Sequence, residues 1–323
     1  MILEQSARFK IEPEDFILSL RRMKIAGLSD GTVIRVFEVL PAAFMNDGID
    51  VRSRIEFLKK TAGIKEQEEI NGVCHSYPEF LAFSIDCKLR PLFSEFFDLG
   101  FDRIEVRNLL TENPSLLLNL QLGELSRCVN LLEGLKCRIP IKERILSRGR
   151  LFAAIDVKTR IDLLCRHGLT QRDAFKILHV EPRSILYSPN ELEKKIQFLL
   201  EPLGFSIEHL VEFPSYLGLN LEKQIIPRLR VVELLRSKGA LEMEVELKHF
   251  VRMSRREFYN FFVKPYPECE KIFGGLMRNV ELNDVRKKKL KHPTGLWKLF
   301  KPIKYSDSEE DVKNMKQFME TLV

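Results

Sequence analysis

A chain of 323 residues, 45% hydrophobic and 30% charged, is long and apolar enough to bury a continuous interior, which excludes a chain unfolded over most of its length. Its longest uncharged stretch, Asn113 to Gly123, is 11 residues, short of the roughly 18 that cross a bilayer, so no membrane span is expected. A formal charge of +6 and a pI near 8.9 suit a polyanionic partner without requiring one.

The first 16 residues hold three glutamates and an aspartate, unlike the Arg- and Ser-rich, acid-poor character of an organelle transit peptide. Either there is no such peptide or the sequence begins after one. From residue 27 a single punctuation recurs. Gly27-Leu28-Ser29 opens an amphipathic run closed by Pro41, Gly63-Ile64 one closed by Pro78, and Gly100-Phe101-Asp102 one closed by Pro114. A fourth unit, KERILSRGRLF, follows, with Gly149 and Arg150 where its proline would fall. Gly168-Leu169-Thr170 then leads to Pro182, and Gly204-Phe205-Ser206 to Pro214.

Glycine suits the left-handed residue just past a helix end, and Ser, Thr or Asp two residues on can cap the next helix; Thr170 with Asp173 has capping-box spacing. Pro41, Pro78, Pro114 and Pro182 lie 14 or 15 residues after their glycines, room for a helix of about three turns that a residue without an N–H then stops. A second helix follows each proline. Its clearest example places Leu192, Ile196, Leu199 and Leu203 on one stripe. Fourteen residues after Pro41, Pro78, Pro114 and Pro182 sit Ile55, Leu92, Cys128 and Ile196, all apolar; after Pro214 that place holds Arg228. Neither helix of a unit can bury its stripe alone, and stacking solves this, so an all-α solenoid of six such units is expected before residue 240. Beyond Gly239 an aromatic-rich helical stretch reads as a closing cap. The domain reading is therefore a helical-repeat domain over 1–275 and a charged C-terminal extension over 276–323 carrying RKKKLK at 286–291 and DSEED at 307–311. RKKKLK reads as a solvated run or an extra phosphate clamp. Trp297 with Phe300 reads as a docking pair or a base-stacking one.

The stretch from Ile185 to Leu235 resembles the mitochondrial transcription termination factor (mTERF) family. The resemblance is carried by Pro182 and Pro214 closing first helices, by the Leu-x-x-Lys-Ile-x-Phe-Leu helix from Leu192 to Leu199, and by Pro227-Arg228 in a late unit. It covers residues 20 to 275, and the missing fourth proline departs from the pattern. The resemblance implies a superhelix of helix–helix–3₁₀ units around a basic groove that holds double-stranded DNA, or structured RNA. It also implies a place in mitochondria or chloroplasts, the former favoured, in transcription termination or regulation, with intron splicing or ribosome assembly as the alternative, among organellar transcription or splicing proteins.

The residues themselves place a cation in one window of each unit: Arg52 and Arg54, Lys88 and Arg90, Arg127, Lys158 and Arg160, Lys194 and Lys195, then Lys223, Arg228 and Arg230. Stacking would turn these into the basic stripe a phosphate backbone needs, or they are solvated helix faces. Arg228 and then Arg183 are the arginines best suited to forked recognition, with pairing to a neighbouring unit as the plainer role for Arg228. Lys194 and Lys195 read as exposed point charges.

No G-x-x-x-x-G-K-[ST], H-E-x-x-H or G-x-S-x-G motif occurs, and His75, His167, His179, His209, His249 and His292 lack metal-ligand spacing. Six cysteines without C-x-x-C spacing read as small, reduced core residues. No catalytic residue, metal or cofactor is therefore expected, and the chain reads as a monomeric binder. A protein-interaction scaffold is the alternative from a different class.

Overall fold

The computed structural model describes residues 11–45, 49–241 and 245–274, and among these every regular element is helical. RKKKLK, DSEED, Trp297 with Phe300 and the whole 276–323 extension lie outside the described residues. The chain divides into two compact bodies between Phe258 and Tyr259.

In the first body α1 (Pro13–Ile25) precedes six helix pairs. They are α2 (Asp30–Val39) with α3 (Val51–Ala62), and α4 (Gln67–Ser76) with α5 (Arg90–Asp98). Next come α6 (Arg103–Glu112) with, after the short α7 (Pro114–Leu118), α8 (Glu124–Glu133), and then α9 (Ile139–Ile145) with α10 (Arg150–Arg166). Finally α11 (Gln171–Val180) pairs with α12 (Pro189–Leu200), and α13 (His209–Glu212) with α14 (Ile226–Ser237). The short α15 (Leu247–Val251) and α16 (Arg255–Phe258) complete the body. In the second body a π-helical turn at Tyr259–Val263 and α17 (Glu268–Phe273) are joined by the Tyr259 hydroxyl, which donates to Glu270 Oε1 at 2.8 Å.

Local chemistry explains the repeat. Ser29 accepts from the Thr32 amide, Thr170 from the Asp173 amide at 3.1 Å, and Asp102 with Glu105 forms a full capping box, so three first helices start where a polar side chain replaces a missing backbone acceptor. Pro41, Pro78, Pro182 and Pro214 each open a 3₁₀ turn, and Pro114 opens α7. All five are buried at the first turn of their elements, where the absent N–H costs nothing. Gly168, at φ 102°, turns the chain left-handed between α10 and α11, a conformation that disfavours any side chain.

The apolar register holds. Ile55, Leu92, Cys128 and Ile196 are at most 2% exposed, and Ile161 takes the same role in the fourth repeat. Leu192 and Leu199 share the buried stripe, while Leu203 lies past the end of α12 and is half-buried. In the second and sixth repeats a π-helical turn (Ile85–Leu89, Leu221–Ile225) leads into the second helix just ahead of Pro91 and Pro227, so the ladder is already widened where the proline enters.

The fourth repeat departs from the others. It has no proline turn: α9 is seven residues long with Pro140 at its start, Gly149 (φ 99°, ψ 161°) resets the chain, and α10 runs for 17 residues. α10 packs against α8, α11 and α12, whereas α9 rests on the Pro182–Leu186 turn of the following repeat. The cysteines divide: Cys74, Cys128 and Cys269 are core, as expected of all six, but Cys87 is exposed and Cys137 and Cys165 are half-buried. Burial pushes the Cys74 and Cys128 thiols up to about 12, which keeps them protonated and unreactive.

Candidate nucleic-acid interface

The second helices carry the expected cations, and the structure sorts them into three situations. In the first, the side chain crosses to the backbone of the following repeat. Arg54 Nε donates to the Phe83 carbonyl at 3.1 Å, Arg160 Nη2 to Tyr187 at 2.8 Å, and Lys195 Nζ to Leu217 at 2.5 Å. Arg228 donates Nη1 to the Phe250 carbonyl and Nη2 to Met253 at 2.7 Å. Each of these four precedes a buried apolar residue (Ile55, Ile161, Ile196, Leu229); the first three reach the 3₁₀ turn region of the next repeat, and Arg228 reaches α15 and the residue Met253 beyond it. They form one recurring strap. A 3₁₀ turn leaves carbonyls without a helical partner, and a charged donor from the neighbouring repeat supplies one.

This corrects the placement of three residues. Lys195, expected at an exposed helix start, is 4% exposed and lies over the Tyr187 ring; Arg160 and Arg228 are each 6% exposed. Arg228 also packs on Phe258, with 5.0 Å from guanidinium carbon to ring centre. A residue one place from a core position sits about 100° around the helix, at the edge of the buried face, so the next repeat decides whether it is covered. Burial drives the Lys195 pKa down to about 8, and burial with the nearby Arg255 charge brings Arg228 down to about 10. The same junction is tied by the Tyr216 hydroxyl, donating to the Lys195 carbonyl at 2.9 Å.

In the second situation a carboxylate on the protein already holds the cation. Arg52 pairs with Glu56 at 3.2 Å and Arg90 with Asp86 at 2.9 Å. Lys158 pairs with Asp162 at 2.6 Å and Glu124 at 3.5 Å. Burial works against the Lys158 charge, but the hydrogen bonds and charges of Asp162 and Glu124 outweigh it and leave its pKa raised. Arg183, the second candidate for forked recognition, applies its fork to buried Glu181, with both contacts at 2.7 Å. That pair faces Gly218 of the next repeat so closely that a Cβ there would meet Glu181 Oε2 at 2.6 Å.

The third group faces solvent. Lys194, Lys223 and Arg230 are exposed, and their side chains make no hydrogen bond or ion pair among the described residues. Arg127 is exposed and held by neutral acceptors, the Gly123 carbonyl and Gln171 Oε1, both at 3.2 Å. Lys88 is half-buried over the Phe83 ring, which lowers its pKa by desolvation. A polyanion therefore finds Arg127, Lys194, Lys223 and Arg230 without competition from a carboxylate.

Sequence reasoning passed over another set of cations. Lys136, Arg138 and Arg144, exposed, and Lys142, half-buried, flank or lie on α9, and no side-chain partner engages them among the described residues. The signal was present: residues 136–150 hold six basic residues and one acid, where the proline turn is missing. No helix among the described residues is long and apolar enough to cross a membrane, and no group of His, Cys, Asp or Glu there is arranged to hold a metal.

Comparison with known proteins agrees with this geometry. The mTERF family model matches residues 4–131 and 153–259, and it leaves unmatched the segment around α9. Over 322 residues, 99% of this chain and 70% of the relative, the chain is 42% identical to the Arabidopsis thaliana protein named transcription termination factor MTERF15, mitochondrial. It is 28% identical over 227 residues to the Arabidopsis thaliana transcription termination factor MTERF8, chloroplastic, spanning 44% of that protein. A shorter match of 105 residues, also 28% identical, links it to transcription termination factor MTEF18, mitochondrial, from the same plant. With helix pairs punctuated by proline turns and a family match over more than half its length, the chain belongs to the mTERF family.

Proposed function

We propose that this chain binds nucleic acid, double-stranded DNA in preference, and regulates gene expression in an organelle, mitochondria ahead of chloroplasts. The observation that carries the reading is 42% identity, along 99% of the chain, to a relative named as a mitochondrial transcription termination factor. Exposed cations on the second helices support it. Arg127, Lys194, Lys223 and Arg230 are available to phosphates, while Arg54, Arg160, Lys195 and Arg228 hold the repeats together and act on binding only through the shape they maintain. The reading assigns the chain a binding role and no reaction.

The test is crosslinking in isolated organelles followed by sequencing of the bound nucleic acid, with duplex titrations of the purified chain across salt. Four phosphate contacts would make the logarithm of affinity fall with a slope of about −3.6 against the logarithm of salt. Recovery of no organellar nucleic acid, together with a flat salt response, overturns the reading. Recovery of RNA alone moves the target from DNA to RNA.

A further inference from the structure

The missing proline turn of the fourth repeat has a consequence for the surface. There α9 rests on the Pro182–Leu186 turn, and α8 of the third repeat and α11 of the fifth both line one cleft, across which Arg127 reaches Gln171. Between the two helices is a cleft of about 450 Å³ lined by Arg127, Asn130, Leu131, Phe175, Lys176 and His179. Leu131 is buried and Phe175 half-buried, giving an apolar floor with an aromatic ring; Arg127, Lys176 and His179 are exposed at its rim. Gly134 lies near the His179 end of the cleft, within 3.8 Å of the His179 ring for a Cβ placed there. From that end the chain runs on through Lys136, Arg138, Lys142 and Arg144, the cations without side-chain partners. Arg148 and Arg150 of the same segment are taken by Glu112 and Glu133.

An apolar floor carrying a ring, cations along the rim, and further cations leading away suit a ligand that alternates planar apolar faces with negative charges. A duplex keeps its base faces stacked inside and cannot offer them to a cleft; an unpaired strand can. We infer that this cleft binds an unpaired stretch of nucleic acid, with a base against Phe175 and phosphates on Lys176, Lys136 and Arg138. The inference rests on the nucleic-acid reading above and adds a second, single-strand site to it.

The full chain is titrated with a labelled duplex, with the same duplex carrying a single-stranded tail, and with the tail strand alone. The tail should raise affinity about tenfold. Lys136→Glu, Arg138→Glu and Lys176→Glu in one chain should abolish that gain and leave binding of the blunt duplex within about twofold. Phe175→Leu, which keeps apolar bulk but loses the ring, should remove most of the gain with the melting temperature unchanged. Duplex binding with no gain from the tail, or a gain that survives the charge reversals, overturns the inference alone. Displacement of the tail by poly-glutamate as effectively as by unlabelled strand also overturns it, because the cleft would then take any acidic chain. Binding of none of the probes overturns the nucleic-acid reading itself.

Discussion

Arg228 and Arg144 carry the same charge and live under opposite conditions. At the junction after the sixth repeat, Arg228 is covered, donates to the Phe250 and Met253 carbonyls and packs on a ring. On the fourth repeat's first helix, Arg144 is exposed and engages no acceptor among the described residues. The difference lies in the neighbour rather than in the residue. The short α15 and the residue Met253 beyond it present carbonyls that Arg228 satisfies; Arg144 on α9 meets no such acceptor and stays in solvent. A basic residue in a solenoid marks a binding face only where the next repeat has not already claimed it.

The largest effect that would break this comparison is on stability. Arg228→Ala leaves two carbonyls without their donor in a buried setting and should cost about 3 kcal/mol, read as a fall in the urea midpoint with unchanged slope. Arg228→Lys keeps one donor and should cost less. Arg144→Ala should stay within about 0.5 kcal/mol of the parent chain. Equal losses at the two positions would mean that Arg144 has a structural role this contrast denies it.

A smaller effect sharpens the strap at the fifth and sixth repeats. Lys195 has a folded pKa of about 8, below the ordinary lysine value of about 10.4, so between those values the unfolded chain binds more protons than the folded one. Stability should therefore rise with pH across that window by way of this residue, and below about pH 8 its contribution should be flat. The difference between the parent chain and Lys195→Met, measured by denaturation from pH 7 to 10, isolates the term. A difference that stays flat across that range would place the amine in water rather than under Tyr187.

The smallest effect concerns the solvent-facing cations. Lys194→Ala combined with Arg230→Ala should leave the melting temperature unchanged, weaken all duplexes about equally and lower the salt slope by roughly one to two units. Discrimination between preferred and scrambled duplexes that changes in this double variant would assign one of the two to base edges.

How much of this was legible depended on distance along the chain. The helix pairs were readable because glycine, cap and proline act within a few residues of where they stand; Thr170 with Asp173 and Pro182 each do locally what their chemistry dictates. The buried register of Ile55, Leu92, Cys128 and Ile196 was readable for the same reason, since periodicity needs only the helix it lies on. Arg228 was read first as a nucleic-acid contact and second as the partner of a neighbouring repeat's carboxylate; its acceptors are backbone carbonyls instead. Lys195 was misplaced because its cover, Tyr187 and the Leu217 carbonyl, comes from two separate turns, the second in another repeat. The cleft beside α8 was invisible for a similar reason: its lining comes from α8 and α11, two helices far apart along the chain.

The strap runs one way, and that gives the array two chemically different ends. In each strapped junction the donor sits on the earlier repeat and the carbonyl on the later one, from Arg54 to Phe83 through Arg160 to Tyr187 and on to Arg228. A fragment cut after a strapped second helix would bare the strap's ammonium or guanidinium group, and one cut before the following first helix would bare the strap's neutral carbonyl. Truncations from the two directions are therefore unequal reagents. Shortening from the C-terminal side would manufacture affinity for any polyanion, so a fragment that gains nucleic-acid binding after such a cut would be reporting a false positive.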